Sequence, residues 1–152
     1  MLLKRIMSAF QQKFTFLYLE RLRDFPLFRP EDVHHKMDKQ VLEFKEHLKQ
    51  ADAVIISTPE YSHNIPAVLK NALEWITASG ELKNKSVLPI TFTPHEPRGK
   101  WAMESLLFTL KTLEARIPTN LSLYKTDVRI EDNQIELDED LRHLINEALQ
   151  LL

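Results

Sequence analysis

Residues 51–75 read ADAVIISTPEYSHNIPAVLKNALEW, and this stretch decides the fold class. Its apolar run at residues 53–57 is typical of a strand buried on both faces of a parallel sheet. A loop follows, and Pro66 then opens a helix, where its missing N–H costs nothing. The inner face of that helix carries apolar residues at helical spacing: Ile65, Leu69, Ala72 and Ile76. The stretch therefore predicts a strand–loop–helix unit, and ligands in such units bind past the carboxyl end of the strand.

The same alternation continues on both sides of this unit. Apolar spacing predicts further helices at about residues 2–12, 37–48, 101–113 and 141–148, and further strands at 14–19, 87–92 and 121–125. Residues 128–130 and 135–137 flank Asp132-Asn133, which indicates a small hairpin. Strands that alternate with helices predict one α/β domain over residues 1–152, with a parallel sheet covered by helices on both faces.

Composition excludes several classes of protein. The chain has no cysteine, so disulfides, thiolate catalysis and cysteine-based metal sites are excluded. The net charge of −2 gives no argument for nucleic acid or an anionic membrane as a partner. No apolar run approaches the roughly 20 residues that span a bilayer, so we expect a cytoplasmic protein. With only two glycines, the chain contains neither a Walker loop nor G-x-G-x-x-G.

Two other clusters are weak candidates for chemistry. His34-His35, with Glu31 and Asp32, lacks the spacing that lets side chains converge on one ion, so we expect no metal site. The adjacent pair His95-Glu96 would serve a hydrolase only if both side chains converged in a pocket. No Ser-His-Asp ordering or nucleophile elbow is present.

Residues 51–75 resemble the flavin-binding signature of the NADPH-dependent FMN reductase family, which includes related azo- and quinone reductases. That signature joins a buried strand to T/S-P-E-Y-N, then to a proline and a helix that starts L-K-N-A. The resemblance implies a flavodoxin-like three-layer α/β/α fold. It also implies FMN as cofactor, NADPH or NADH as hydride donor, and a free flavin, quinone or azo compound as electron acceptor. No side chain need act as acid or base, because the flavin performs the redox chemistry.

The resemblance also implies the site residues, which fall in two loops. The loop after residues 53–57 should face the flavin ring with backbone N–H groups, the aromatic face of Tyr61 and the start of the next helix. The loop at residues 93–100 stands where the family has a glycine-rich turn beside the flavin. The cofactor-binding candidates are Pro59, Glu60, Tyr61, Ser62, His63, Asn64, His95, Arg98 and Gly99. The family usually has Asn where this chain has Ser62.

A subunit interface is a further expectation from the family. In that family, the helix corresponding to the one that carries Lys70, Asn71 and Glu74 contributes to a subunit interface. We therefore expect a homodimer or homotetramer. Residues 22–28 resemble a family segment that borders the site or a neighbouring subunit. The rival function is a non-enzymatic flavodoxin-like interaction subunit that kept these helices and no longer binds FMN.

Family members begin with a strand and a loop of the type G-S-x-R-x-x-S-x-N that wraps the FMN phosphate. Residue 1 of this chain already lies in the expected first helix, so we expect that strand and loop to be missing. The strands at 14–19 and 53–57 would then lack a shared neighbour. An N-terminal segment is omitted from the sequence, or these strands pair directly or with a second subunit, or the chain is a degenerate relative.

Overall fold

A parallel sheet organises the molecule. The computed structural model describes residues 2–34, 37–131 and 134–152. Strands β1 (Ala53–Thr58), β2 (Ser86–Thr93) and β3 (Leu121–Tyr124) lie in the order β1-β2-β3. β1 pairs with β2 from Ala53↔Ser86 to Thr58↔Thr91. The parallel sheet expected from the sequence is therefore confirmed.

Helices cover both faces of this sheet. They are α1 (Leu2–Phe10), α2 (Lys39–Gln50), α3 (Ala67–Glu74), α4 (Lys100–Thr112) and α5 (Glu139–Gln150). Helices α1 and α5 pack against Leu88 and Ile90 of β2, whereas α2, α3 and α4 pack against Val87 on the other face. Since successive strand residues point to opposite faces, β2 belongs to both cores. The three-layer α/β/α arrangement is confirmed.

The expected hairpin is also present. Strands β4 (Arg129–Glu131) and β5 (Gln134–Glu136) pair antiparallel. The turn residues Asp132-Asn133 lie outside the described residues. Ile135 is buried in the core that α1 and α5 share, so the hairpin packs against that core.

The expected strand at residues 14–19 is wrong. These residues form neither helix nor strand, and a short 3₁₀ turn follows at Leu22–Asp24. A strand needs a neighbour for its backbone N–H and C=O groups, and β1, at the edge of the sheet, does not pair with this segment. Direct pairing between residues 14–19 and β1 is thus not found in the structure.

The sequence predicted neither a membrane-spanning segment nor a metal site, and the structure bears on both only within the described residues. Across the described ranges, no helix combines the length and the apolar character needed to cross a bilayer. His35 lies outside the described residues, so the His34-His35 pair is not seen as a whole. In the part of the chain that is described, no group of three histidine, aspartate or glutamate side chains could hold a metal ion.

Candidate functional site

Two loops meet at the carboxyl edge of the sheet. The first loop, residues 59–66, connects β1 to α3, and the second loop, residues 94–99, connects β2 to α4. Because β1 and β2 are parallel neighbours, both loops leave the sheet side by side. This edge is where open α/β sheets bind their ligands.

A tight turn forms the tip of the first loop. The N–H of Tyr61 donates to the carbonyl of Asn64 at 2.9 Å, and the N–H of Asn64 donates back to Tyr61 at 2.9 Å. Between them, Ser62 and His63 have φ values of 50° and 57°. Positive φ at both central residues is the hallmark of a type I′ turn, which usually contains Asn and Gly. Residues strained in this way cluster at binding sites.

The turn leaves few backbone donors for a ligand. The sequence suggested that Glu60 to Asn64 would present several N–H groups, but those of Tyr61 and Asn64 are bonded within the turn. Among the hydrogen bonds of the described residues, the N–H groups of Ser62 and His63 have no acceptor. Two adjacent donors therefore lack a bond within the turn, and they directly follow Tyr61, which is 64% exposed.

The carboxylate of Glu60 anchors the first loop to α4. Its Oε2 accepts from the N–H of Trp101 at 3.0 Å and from the N–H of Ala102 at 3.1 Å. The side chain is only 9% exposed, and Oε1 lies 3.8 Å from Nδ1 of His63. A carboxylate at this position satisfies two unpaired N–H groups of the helix and complements the helix dipole. The side chain of Glu60 thus positions the loop.

Asn64 makes a second connection to the same helix. Its Oδ1 accepts from the N–H of Ile65 at 2.8 Å and from the hydroxyl of Ser105 at 2.6 Å. Ser105 lies one turn beyond the residues that Glu60 caps. The sequence offered no signal for Ser105, because this contact spans 41 residues. Together Glu60 and Asn64 hold both sides of the turn on α4.

Gly99 fixes the end of the second loop. It has φ of 96° and forms the N-cap of α4. A Cβ added there would lie 3.0 Å from Cγ2 of Thr93 and 3.1 Å from Oγ1 of Thr91. The hydroxyl of Thr93 donates to the carbonyl of Arg98 at 2.8 Å. The backbone therefore passes directly over the end of β2, where only glycine fits.

The other candidates of the second loop face solvent. The side chains of His95 and Arg98 are exposed, and Nδ1 of His95 lies 2.9 Å from the carbonyl oxygen of Glu96. His95 therefore does not form the convergent pair with the Glu96 carboxylate that a hydrolase would need. In the first loop, Pro59 is half-buried where the chain leaves β1.

Tyr124 also lies at this edge of the sheet, although the sequence did not single it out. It ends β3, where it is in register with Thr93 of β2, so it joins the same edge of the sheet. Burial, and then the negative charges of Glu96 and Asp127, raise the pKa of its phenol above the usual value. The phenol therefore remains protonated at neutral pH and can donate a hydrogen bond.

The outer face of α3 holds the segment that precedes α2. Nε1 of Trp75 and Nδ2 of Asn71 both donate to the carbonyl of Pro26, at 2.9 and 3.0 Å. Oδ1 of Asn71 accepts from the N–H of Phe28 at 2.8 Å. Lys70 and Glu74 form an ion pair at 2.8 Å on the surface. Asn71 thus has an intrachain role, and Leu27 stands exposed between the anchored residues.

Curated relatives of this chain are reductases. It is 44% identical over 89 residues to an NADH:(hydroxy)cinnamate reductase subunit, CrdA, of Vibrio ruber, and this match covers 58% of the chain and 43% of the relative. It is 43% identical over 67 residues to an NADH-dependent flavin reductase subunit 2 of Lactobacillus johnsonii, covering 44% of the chain and 34% of the relative. A 28% identity over 137 residues to a Bacillus NADPH azoreductase covers 90% of the chain and 74% of the relative. The chain thus spans less than half the length of the first two relatives.

A solved structure and a family model extend the comparison. The flavoenzyme NAD(P)H:(acceptor) oxidoreductase FerB from Paracoccus denitrificans has a TM-score of 0.82 at 21% identity, covering 99% of this chain and 86% of that one. At this identity the likeness establishes the fold. The family model described as NADPH-dependent FMN reductase matches residues 1–125, which include both loops and all the candidate residues. The chain therefore belongs to the NADPH-dependent FMN reductase family.

Proposed function

We propose that the protein is an NAD(P)H-dependent flavin reductase whose first loop faces the ring of FMN. The observation that carries this proposal is the type I′ turn at Tyr61–Asn64. It presents two adjacent N–H donors and an exposed aromatic ring at the carboxyl edge of a parallel sheet. The N–H groups of Ser62 and His63 and the ring of Tyr61 would hold the flavin ring, and bound FMN would supply the hydride chemistry between a nicotinamide and a small-molecule acceptor.

The described residues fit the ring of a flavin. The N–H groups of Ser62 and His63 match the hydrogen-bond acceptors on one edge of an isoalloxazine, and Tyr61 offers a flat surface for packing. Close passage of the backbone at Gly99 keeps the second loop against Thr91 and Thr93 of β2. Arg98 supplies an exposed positive charge for the cofactor or for a nicotinamide phosphate.

The electron acceptor, the assembly and the location are parts of the same proposal. A flavin, quinone or azo compound is the acceptor class that agrees with the named activities of the relatives. Assembly into a homodimer or homotetramer is inferred from membership of the family, whose helix at the place of α3 is expected to form a subunit interface. The lack of cysteine agrees with a cytoplasmic location.

Flavin binding and turnover test the proposal directly. Purified protein should quench the fluorescence of added FMN with a saturable Kd, and the complex should oxidise NADPH or NADH when a benzoquinone is present. Arg98→Ala should raise the Kd for FMN or the KM for NADPH by about tenfold, the cost of one charge-assisted hydrogen bond. The matched control is Arg142→Ala, an exposed arginine on α5, away from both loops.

Two results would overturn the proposal. Protein that is folded by circular dichroism but binds no FMN would favour a non-enzymatic interaction subunit. An equal effect of the Arg98 and Arg142 substitutions would remove the second loop from the site. Size-exclusion chromatography with light scattering checks the oligomer separately, so a monomer would contradict the assembly without affecting the flavin assignment.

A further inference from the structure

The first turn of α4 carries an exposed tryptophan. Trp101 is 49% exposed, whereas Trp75, the other tryptophan of the chain, is only 2% exposed. Trp101 lies two residues after Gly99, the N-cap of α4, and its N–H donates to Oε2 of Glu60 at 3.0 Å. The residue therefore lies where the second loop enters α4 and where the first loop is anchored to that helix.

A lysine side chain is held against this indole. Nζ of Lys100 lies over the ring of Trp101, 5.1 Å from its centroid. A cation over the face of an indole is attracted by the π electrons, which favours one position of an otherwise flexible side chain. Within the described part of the chain, this ring is the one interaction partner of the Lys100 side chain. We call Lys100 and Trp101 the aromatic–cation pair.

The neighbouring acids leave the charge of the lysine available to a ligand. Glu96 precedes the pair in the second loop and Glu104 follows one turn later on α4, but among the described residues neither forms an ion pair with Lys100. The carboxylate of Glu60 accepts from two N–H groups of α4, so it is already bonded to the helix. The aromatic–cation pair therefore presents an ammonium group without an acidic partner beside an exposed aromatic surface.

The aromatic–cation pair fits a ligand that is both aromatic and acidic. The exposed surface of the indole packs against a flat ring, and the ammonium group donates a charge-assisted hydrogen bond to a carboxylate or sulfonate. A neutral aromatic compound uses only the first of these contacts, and a simple anion uses only the second. Because the ammonium group and the indole are in contact with each other, one small molecule can reach both.

We propose that the aromatic–cation pair binds the electron acceptor, and that the preferred acceptor is an aromatic compound carrying an acid group. The proposal rests on the proposed function, because the pair lies at the same edge of the sheet as the two loops assigned to the flavin. Lys100 is then a specificity residue that separates acidic from neutral acceptors, whereas Trp101 contacts every aromatic acceptor. Neither side chain takes part in the transfer of electrons.

Binding of naphthalene sulfonate, which cannot accept electrons, tests the pair apart from turnover. In an NMR titration of the purified protein, with and without FMN, the indole N–H resonance of Trp101 should shift and saturate. The resonance of Trp75, which is buried and bonded to the carbonyl of Pro26, should stay in place. Lys100→Ala should raise the Kd for the sulfonate by about fivefold and leave the Kd for neutral naphthol unchanged. The matched control is Lys111→Ala, an exposed lysine about three turns further along α4.

Steady-state kinetics tests the preference during turnover, with naphthoquinone and naphthoquinone sulfonate as acceptors for the FMN-loaded protein. Lys100→Ala should lower kcat/KM for the sulfonate by about fivefold and leave kcat/KM for the neutral quinone unchanged. Lys100→Arg keeps the charge and should restore most of the loss. Raising the NaCl concentration about tenfold should weaken the preference of the wild type for the sulfonate, because salt screens exposed charges.

Several outcomes would overturn the proposal. They are an unmoved Trp101 resonance at saturating sulfonate, equal effects of the Lys100 and Lys111 substitutions, and equal losses with the two naphthoquinones. A higher KM for NADPH in Lys100→Ala, with the acceptor preference intact, would assign the pair to the nicotinamide cofactor and refute the acceptor role. A shift of the Trp101 resonance on dilution of the protein alone would place the indole between copies and refute it too. Absence of FMN binding, seen separately in flavin fluorescence, would overturn the proposed function itself and the acceptor role with it.

Discussion

The two loops at the carboxyl edge of the sheet are built differently. The first is tied to α4 through the side chains of Glu60 and Asn64, each of which accepts two hydrogen bonds. The second is held mainly by its backbone at Gly99, while the side chains of His95 and Arg98 face solvent. Glu60, Asn64 and Gly99 thus maintain the shape of the loops, and the exposed side chains take no part in this support. The first loop presents backbone donors from a fixed frame, and the second presents free side chains.

The largest effect should follow Gly99→Ala. Its φ of 96° disfavours any other residue, and the new Cβ would press on Thr91 and Thr93 of β2. We expect the free energy of unfolding to fall by about 2–4 kcal/mol, measured by urea denaturation.

Gly80→Ala is the matched control for this substitution. Gly80 has a similar φ of 74°, but the nearest atom to an added Cβ is 3.9 Å away. Gly80→Ala should lower the free energy of unfolding by about 1–2 kcal/mol, which is the penalty for a left-handed backbone alone. Equal losses at the two glycines would mean that close packing over β2 does not matter.

Removing the carboxylate that joins the first loop to α4 should have the next largest effect. Glu60→Ala leaves the N–H groups of Trp101 and Ala102 without their acceptor, so unfolding should become easier by about 1–3 kcal/mol. Glu60→Gln keeps an oxygen at the same place and should lose less. Glu96→Ala, in the second loop, is the control, and thermal melts that rank it equal to Glu60→Ala would refute the anchoring role.

The contact between Asn64 and Ser105 can be isolated by a double-mutant cycle. Asn64→Ala, Ser105→Ala and the double variant should give a coupling energy of about 1 kcal/mol in urea denaturation, since the two side chains share one hydrogen bond. Additive losses, with a coupling near zero, would show that the hydroxyl of Ser105 gains nothing from Asn64.

The sequence correctly predicted the elements that depend on interactions between residues close together in the chain. The run at residues 53–57, Pro66 and the helical spacing after it place β1 and α3 correctly, because apolar period and helix entry are properties of neighbouring residues. Residues 14–19 have an equally strand-like composition, yet they are not a strand. Composition gives a tendency to extend, but pairing requires a neighbour, and a cavity lined by both segments separates these residues from β1.

The sequence predicted which loops form the candidate site, but it did not predict the contacts that hold these loops in position. The resemblance named both loops, and the structure brings them together at one edge of the sheet. It did not reveal that Glu60 caps a helix that begins 40 residues later, because that contact depends on tertiary packing. The turn at Ser62 and His63 also lacked its usual Asn-Gly signature, so its left-handed backbone was not foreseen.

The smallest effect should come from relieving the turn itself, and it should have the opposite sign. Ser62 holds a φ of 50° without the conformational freedom of glycine. Ser62→Gly should raise the free energy of unfolding by about 0.5–1 kcal/mol, because the left-handed penalty of roughly 1–2 kcal/mol exceeds the extra chain entropy that glycine brings to the unfolded state. Ser8→Gly, on the exposed face of α1, supplies the contrast, since there glycine only weakens a helix and should lower stability. If the Ser62 variant is destabilised as much as the Ser8 variant, the turn is not strained. The first loop would then differ from the second only in its side-chain anchors, and strain would no longer support the site.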